Sequence, residues 1–354
     1  MSYEKSISLL DLSKEEFAFI GAAGYPKFRE EQVFIASRQY KSYDEMSNIP
    51  KNLRNFLQEK YIDLPVKIIE TYTGKDGTEK YLFLMRDGNI VEGVFMPHKY
   101  GNTLCISTQV GCRMGCKFCA STLNGLVRNL TAGEMLGEVL SVNKKHNGTL
   151  KQRAITNIVL MGSGEPLDNY DNVINFLKLV SEESGINISL RNISLSTCGL
   201  AERIKELADS GLTVTLTISL HASDDEKRSS LMPINKKYSI EEVLNAAKYY
   251  FDKTGRRIIF EYSLIEGENC SKTEAVKLAN LLKGLNCHVN LINLNFVKER
   301  GLRGTNGDTI KDFMAVLSEK GISNTLRRSM GNDIKGACGQ LRNSYLNKEE
   351  VTTD

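Results

Sequence analysis

From residue 101 onward the chain alternates short β-rich runs with helical segments, and this alternation restricts the fold more than any other feature. The runs cover 103–108, 157–161, 192–197, 214–220, 258–264, 289–294 and 322–326, and helical periodicity fills 131–142, 171–180, 240–250, 272–282 and 309–319. Strands separated by helix-length connections cannot pair as hairpins, so the pattern predicts a parallel sheet with crossover helices. With six or seven such units, the expected fold is α/β, a partial or full (β/α) barrel rather than an open two-sided sheet.

The region ahead of the alternation is built differently. Residues 1–62 read as a small helical module: Ser13 and Glu16 match a capping box, Pro26 suits the first turn of a helix ending near Tyr40, and Pro50 suits that of a third helix. Residues 66–71, 81–85 and 90–96 alternate apolar and polar side chains, with Gly74-Lys75-Asp76-Gly77 and Asp87-Gly88-Asn89 as turns, which predicts a β-meander linking segment over 63–100. The barrel core then spans 101–330, and 331–354 form a C-terminal loop and tail.

The unusual residues fall where such a fold does chemistry, at the carboxyl ends of parallel strands. Three thiols spaced CxxxCxxC, Cys112, Cys116 and Cys119, follow the first run; Gly162-Ser163-Gly164-Glu165-Pro166 follows the second; Ser196-Thr197 ends the third; Ser219-Leu220-His221 ends the fourth; Asn295 follows the sixth. Closely spaced cysteines form a soft site suited to iron and sulfide, and three ligands leave one corner of a four-iron cluster open. Zinc is the alternative, but it takes paired ligands that close a tetrahedron. No second Cys-x-x-Cys pair is present, and His98, His146, His221 and His288 stand singly.

Composition narrows the setting. A chain of 354 residues with 41% hydrophobic content supports a sizeable core. The first residues carry early acidic charges and no long apolar run, so neither a secretory signal nor a membrane span is expected, and the location expected is cytoplasmic. In that reducing compartment the eight cysteines read as metal ligands or reactive thiols rather than a disulfide framework. A net charge of +3, from 46 basic and 43 acidic residues, does not by itself indicate nucleic-acid binding. Any RNA surface must be local, with Arg256-Arg257, Lys298 with Arg300 and Arg303, and Arg327-Arg328 as candidates, although each pair alone reads first as solvated surface.

The ordered motifs resemble, over essentially the full length, the radical S-adenosylmethionine (SAM) methylases that modify adenine in RNA. The matching elements are the CxxxCxxC loop, MGSGEPLDNYDNV from Met161, ISLSTCG from Ile193, SLHA from Ser219, LMPIN from Leu231, HVNLINLN from His288 and ACGQL from Ala337. The resemblance implies one [4Fe-4S] cluster held by Cys112, Cys116 and Cys119, with SAM chelated at the open iron. It implies SAM contacts from Gly164, Glu165, Ser196, Ser219, Leu220, His221 and Asn295, Glu165 accepting from the cofactor's ammonium group.

Adenine C2 is electron-poor and cannot displace a sulfonium methyl group, so the resemblance implies a radical route. Cys338 would first take a methyl group by displacement; a deoxyadenosyl radical from a second SAM would then abstract hydrogen from it, and the resulting carbon radical would add to C2. Cys105 would help to deprotonate the adduct and pair transiently with Cys338 to release the product, and Glu92 matches a proton acceptor. Cys198, Cys270 and Cys287 match no catalytic position. The implied partners are 23S rRNA near the peptidyl-transferase centre, tRNA at the adenosine 3′ of the anticodon, and a reducing donor such as flavodoxin or ferredoxin, with no membrane partner. The helical module would bind RNA shape while one splayed base enters the barrel. Two rivals stand beside this reading: a related branch that modifies C8 of the same rRNA adenine, against which Pro166 weighs, and a non-catalytic iron–sulfur or zinc protein that senses RNA.

Overall fold

The computed structural model describes residues 7–295 and 301–327. Its N-terminal part is helical, with α1 (Phe19–Ala22), α2 (Phe28–Arg38) and α3 (Lys51–Lys60) preceded by two short 3-10 turns. Leu9, Phe17, Ile20, Val33, Phe34, Leu53 and Leu57 form a core of their own there. Each large apolar side chain buried this way contributes about 1.5–3 kcal/mol. The capping box forms at Ser8 and Asp11 instead of Ser13 and Glu16, where only the Ser13 N–H to Glu16 carboxylate half is made. Pro26 lies two residues ahead of α2, and Pro50 is the N-cap of α3. Asp11 also accepts the Gly133 N–H at 2.5 Å, and buried Arg38 pairs with Glu182 at 3.6 Å, so the helical part is fastened to the rest by buried polar contacts.

Three antiparallel strands follow, β1 (Val66–Thr73), β2 (Glu79–Met85) and β3 (Ile90–His98), with the expected turns between them. β3 pairs antiparallel with β4 (Gly101–Ile106), so the meander and the parallel strands share one sheet. A separate two-stranded hairpin, β5 (Gln109–Gly111) and β6 (Leu126–Asn129), was not evident in the sequence because three- and four-residue strands carry no readable alternation. Then come α4 (Ala132–Lys145), β7 (Asn157–Leu160), α5 (Tyr170–Ser181), β8 (Ile193–Thr197), α6 (Ala201–Asp209) and β9 (Thr215–Ser219). The chain continues with α7 (Asp225–Leu231), α8 (Ile240–Thr254), β10 (Ile258–Leu264), α9 (Lys272–Leu281), β11 (Cys287–Asn293), α10 (Gly307–Glu319) and β12 (Asn324–Leu326). The predicted capping box at Thr131 and Glu134 starts α4.

The ten-stranded sheet runs β1-β2-β3-β4-β7-β8-β9-β10-β11-β12, and every neighbour from β4 onward is parallel. This is the α/β partial barrel expected, with two edges. Strand alternation divides the residues cleanly. Leu104, Ile158, Leu195, Ile218 and Phe260 are buried in the main core with the helices, while Cys105, Ser196, Ser219 and Glu261 fall on the opposite, inner face. Register places Ser196 beside Thr217 and Ser219 beside Glu261.

Candidate functional site

The loops at the C-terminal rim are stitched to one another before any ligand is considered. Thr108 and Gln109 donate their N–H groups to Ser163 O at 2.8 and 3.1 Å, tying the loop after β4 to the loop after β7. Gln109 Oε1 accepts the Glu165 N–H at 2.8 Å, and its Nε2 donates to Asn129 and Asp168. Gly164, at φ +107°, sits so close that a Cβ would lie 2.6 Å from that of Gln109. Only glycine fits both the backbone conformation and the contact.

The β5–β6 hairpin brackets the cysteine loop. Gly111 has φ +78°, and a Cβ there would stand 2.0 Å from Gly125 O; Cys112 N–H donates to that same carbonyl at 2.9 Å. Thr122 Oγ1 donates to Cys116 O at 3.2 Å and Cys119 O at 2.9 Å, and Lys117 N–H donates to Leu231 O at 2.9 Å. Arg113 pairs with Asp168. Cys112 and Cys116 are buried and Cys119 is half-buried. Burial pushes the Cys112 thiol up to about 12, and it raises Cys116 as well, with the charges of Cys119 and Cys112 adding to the rise at Cys116. The three thiols therefore act on one another electrostatically.

These residues fit an iron–sulfur cluster. Three thiols on one short loop, one for each of three irons with a fourth corner left open, match the donor chemistry of a four-iron cluster. Ser121 Oγ, in the turn after Cys119, and Thr217 Oγ1, beside Ser196 on the inner face, are buried with no hydrogen-bond partner among the described residues. Buried polar atoms are normally satisfied, so these two hydroxyls have bonding capacity left for a ligand.

The other predicted contacts gather on this rim. Glu165 is fully buried, its carboxylate accepting the N–H groups of Leu167 at 3.0 Å and Cys198 at 2.7 Å, so it braces the ends of β7 and β8 as well as facing the site. Burial raises its carboxyl, opposed by the Cys198 N–H. Ser196 and Ser219 are half-buried, and Leu220 is buried. His221 is buried at φ +57°, with its Nδ1 accepting the Ser263 N–H at 2.9 Å. Nε2 therefore carries the proton of the neutral ring, which stands edge-on to Phe118 of the cysteine loop at 4.6 Å. Burial, with the Arg228 charge adding, lowers His221 to about 3. Asn295 is exposed after β11.

Cys105 is buried in β4, opposite Val94 of β3 and Val159 of β7. Glu92 pairs at 3.0 Å with Lys80, whose side chain is fully buried, a partner the sequence did not point to. Cys338 lies outside the described residues, as do Lys298, Arg300 and Arg328. The remaining basic candidates serve internal contacts: Arg303 pairs with Glu266, Arg327 with Glu261, Arg256 reaches Thr215 and Arg257 reaches Cys287 O. Arg256 and Arg257 line a cavity of about 410 Å³ at the amino ends of the strands, away from the cysteine loop. Gln109 and Arg228 organise the site without having been singled out from the sequence; their proximity to Cys112 and to the SLHA motif was the available signal.

Comparison with known proteins agrees with this architecture. A model of the radical SAM superfamily matches residues 106–279. The chain is 52% identical over 348 residues to a probable dual-specificity RNA methyltransferase RlmN of Clostridium botulinum, across 97% of this chain and 99% of that one. It is 52% identical to the protein of the same description from Clostridium perfringens, across 96% and 97%. The crystal structure of a radical SAM methyltransferase from Sphaerobacter thermophilus matches with a TM-score of 0.90 at 41% identity, covering 94% of this chain and 98% of that one. The chain therefore belongs to the RlmN family of radical SAM RNA methyltransferases.

Proposed function

We propose that this enzyme methylates C2 of adenosine in 23S rRNA, in the peptidyl-transferase region, and in tRNA, at the adenosine 3′ of the anticodon, through an S-methylcysteine at Cys338. The observation that carries the reading is the gathering of the cysteine loop, Glu165, Ser219 and His221 on one rim of a chain alike over its whole length to proteins described as dual-specificity RNA methyltransferases. Membership of the radical SAM superfamily implies a [4Fe-4S] cluster and SAM, and the cluster, when bound, supplies the electron that breaks the sulfonium bond.

The chain's own residues do the rest. Cys112, Cys116 and Cys119 would each ligate one iron of that cluster. Gly164, Glu165, Ser196, Ser219, Leu220, His221 and Asn295 would together contact SAM through its methionyl, ribose and adenine parts, Glu165 accepting from its ammonium group. His221 stays neutral, its Nε2–H a fixed donor. Cys338 Sγ accepts the methyl group and presents it to C2. Cys105, on the inner face of β4, and the Glu92 carboxylate would serve as acceptors for the proton lost from C2; once a one-electron acceptor has taken the adduct's surplus electron, the Cys105 thiolate would attack Cys338 Sγ, the disulfide forming as the C–S bond to the RNA breaks and its electron pair passes to the methyl carbon, which takes a proton. Residues 1–62 serve as the RNA-binding accessory module, 63–100 link it to the core at 101–330, and 331–354 carry Cys338. Among the described residues no helix is long and apolar enough to cross a membrane, and the cytoplasm, with flavodoxin or ferredoxin as reductant, is the setting proposed.

Anaerobic turnover on rRNA and tRNA transcripts, with digested nucleosides compared against C2- and C8-methyladenosine standards, tests the assignment. Product at C2 in both RNAs is expected; C8 product, or none, overturns it. Cys338→Ala is expected to keep its iron and lose methyl transfer, and full activity in that variant would refute the carrier role.

A further inference from the structure

Arg228, in α7, is fully buried, and its position is unusual for a cation. Its Nη2 donates to Cys198 O at 2.7 Å and Ser219 O at 3.2 Å, its Nε to Leu220 O at 3.2 Å, and its Nη1 to Asn235 Oδ1 at 2.8 Å and Tyr238 O at 3.4 Å. Among the described residues its hydrogen-bond partners are all neutral oxygens. A buried charge normally finds an opposite one, because taking it out of water costs several kcal/mol. The other fully buried cations obey that rule, Arg38 with Glu182 and Lys80 with Glu92.

Among the described residues Arg228 meets a carboxylate through a neutral amide, Asn235 accepting from Arg228 and donating to the exposed Asp225 at 2.9 Å, while its other end holds the carbonyl of Cys198. The helix that carries Arg228 is joined to the cysteine loop, Lys117 N–H donating to Leu231 O at 2.9 Å. Arg228 thus stands behind the ends of β8 and β9, on the helix bonded to the cysteine loop, holding a positive charge that no carboxylate contacts directly among the described residues.

The geometry points to Arg228 as the built-in counter-charge of the iron–sulfur centre, a positioning residue that holds the Cys198, Ser219 and Leu220 carbonyls and favours the reduced, more anionic cluster. A fixed positive charge in a low-dielectric site stabilises added negative charge far more than it would in water. The inference rests on the cluster assignment to Cys112, Cys116 and Cys119.

Its test is a redox titration of the reconstituted holoprotein without SAM or RNA, followed by electron paramagnetic resonance, which reads potential rather than turnover. Arg228→Gln is expected to make the potential more negative, lowering the one-electron reduction constant at least about tenfold, ~59 mV. Arg228→Lys, which keeps the charge, is expected to stay near the parent value. Because Arg228→Gln removes many buried bonds and can fail to load, Asp225→Asn supplies a second variant. It deletes an exposed negative charge near Arg228 and is expected to move the potential by a smaller amount in the positive direction. A loaded Arg228→Gln protein at the parent potential overturns the inference; if that variant does not load, an unmoved potential in Asp225→Asn overturns it. Parent protein without iron and sulfide would instead sink the cluster assignment, so the two failures are distinct.

Discussion

At the C-terminal rim Arg228 is fully buried and gives its donors to five oxygens, whereas at the amino-terminal rim Arg257 is exposed and reaches the Cys287 carbonyl and the edge of His288. The histidines divide in the same way. His221 is buried at a left-handed backbone position against the cysteine loop, while His288 is half-buried and shares its ring nitrogens with Ser323 and Thr325. Both rims are strand ends with free carbonyls and amides, and both recruit arginine and histidine to satisfy them. Burial makes the difference: in a dry site each charge and each dipole acts at longer range, so side chains that merely tidy one rim set the electrostatics of the other.

The comparison breaks most readily at the arginines. Arg228→Gln leaves several carbonyl oxygens buried without donors, at ~1–3 kcal/mol each, and a total loss of at least ~3 kcal/mol is expected. Arg257→Gln should stay within ~0.5 kcal/mol, as exposed substitutions do. Denaturant unfolding of the two variants measures both, and equal losses would remove the distinction between the rims.

Glycines give the next contrast. Gly111 and Gly255 both have positive φ, but a Cβ on Gly111 would strike Gly125 O at 2.0 Å, while one on Gly255 would meet nothing within 4 Å. Gly255→Ala should cost only the conformational ~1–2 kcal/mol. Gly111→Ala should cost more and lower the iron bound after reconstitution, because the hairpin that brackets the thiols must open. Thermal melts with iron analysis decide; full iron loading in Gly111→Ala would show that the loop does not depend on that turn.

The smallest expected effect is on pH dependence. Burial, with Arg228 adding, lowers His221 from 6.5 to about 3. Between those values the unfolded chain binds a proton that the folded chain refuses, so stability from this residue is full above about pH 6.5 and is lost as the pH falls toward 3. His221→Asn, which tolerates the left-handed backbone, should flatten the acid side of the stability profile of the metal-free protein. An unchanged profile would place the acid sensitivity elsewhere.

Much of this was legible in the chain. Parallel strands such as 258–264 were visible because β-branched and aromatic runs bounded by helical periodicity have few other solutions, and the Thr131–Glu134 box announced α4 through local hydrogen bonding alone. The cysteine trio was legible because its ligands are close in sequence. The Lys80–Glu92 pair, the Gln109 bridge and Arg228 were not: each joins positions on different elements, and lysine, glutamine and arginine in isolation read as surface. The Ser8 box displaced the Ser13 reading for a similar reason, since Asp11 also holds Gly133 in α4, a contact 122 positions away in the chain.

Sequence alone determined the strand-and-helix alternation, the thiol spacing and the side of the sheet on which each strand end would gather its unusual residues, because these follow from local sterics and from the twofold and 3.6-fold periods of the backbone. Tertiary structure decided which charges are dry. Whether an arginine is a solvated tip or a buried cation bonded to strand-end carbonyls depends on what packs around it, and that packing is assembled from segments that no window of sequence contains.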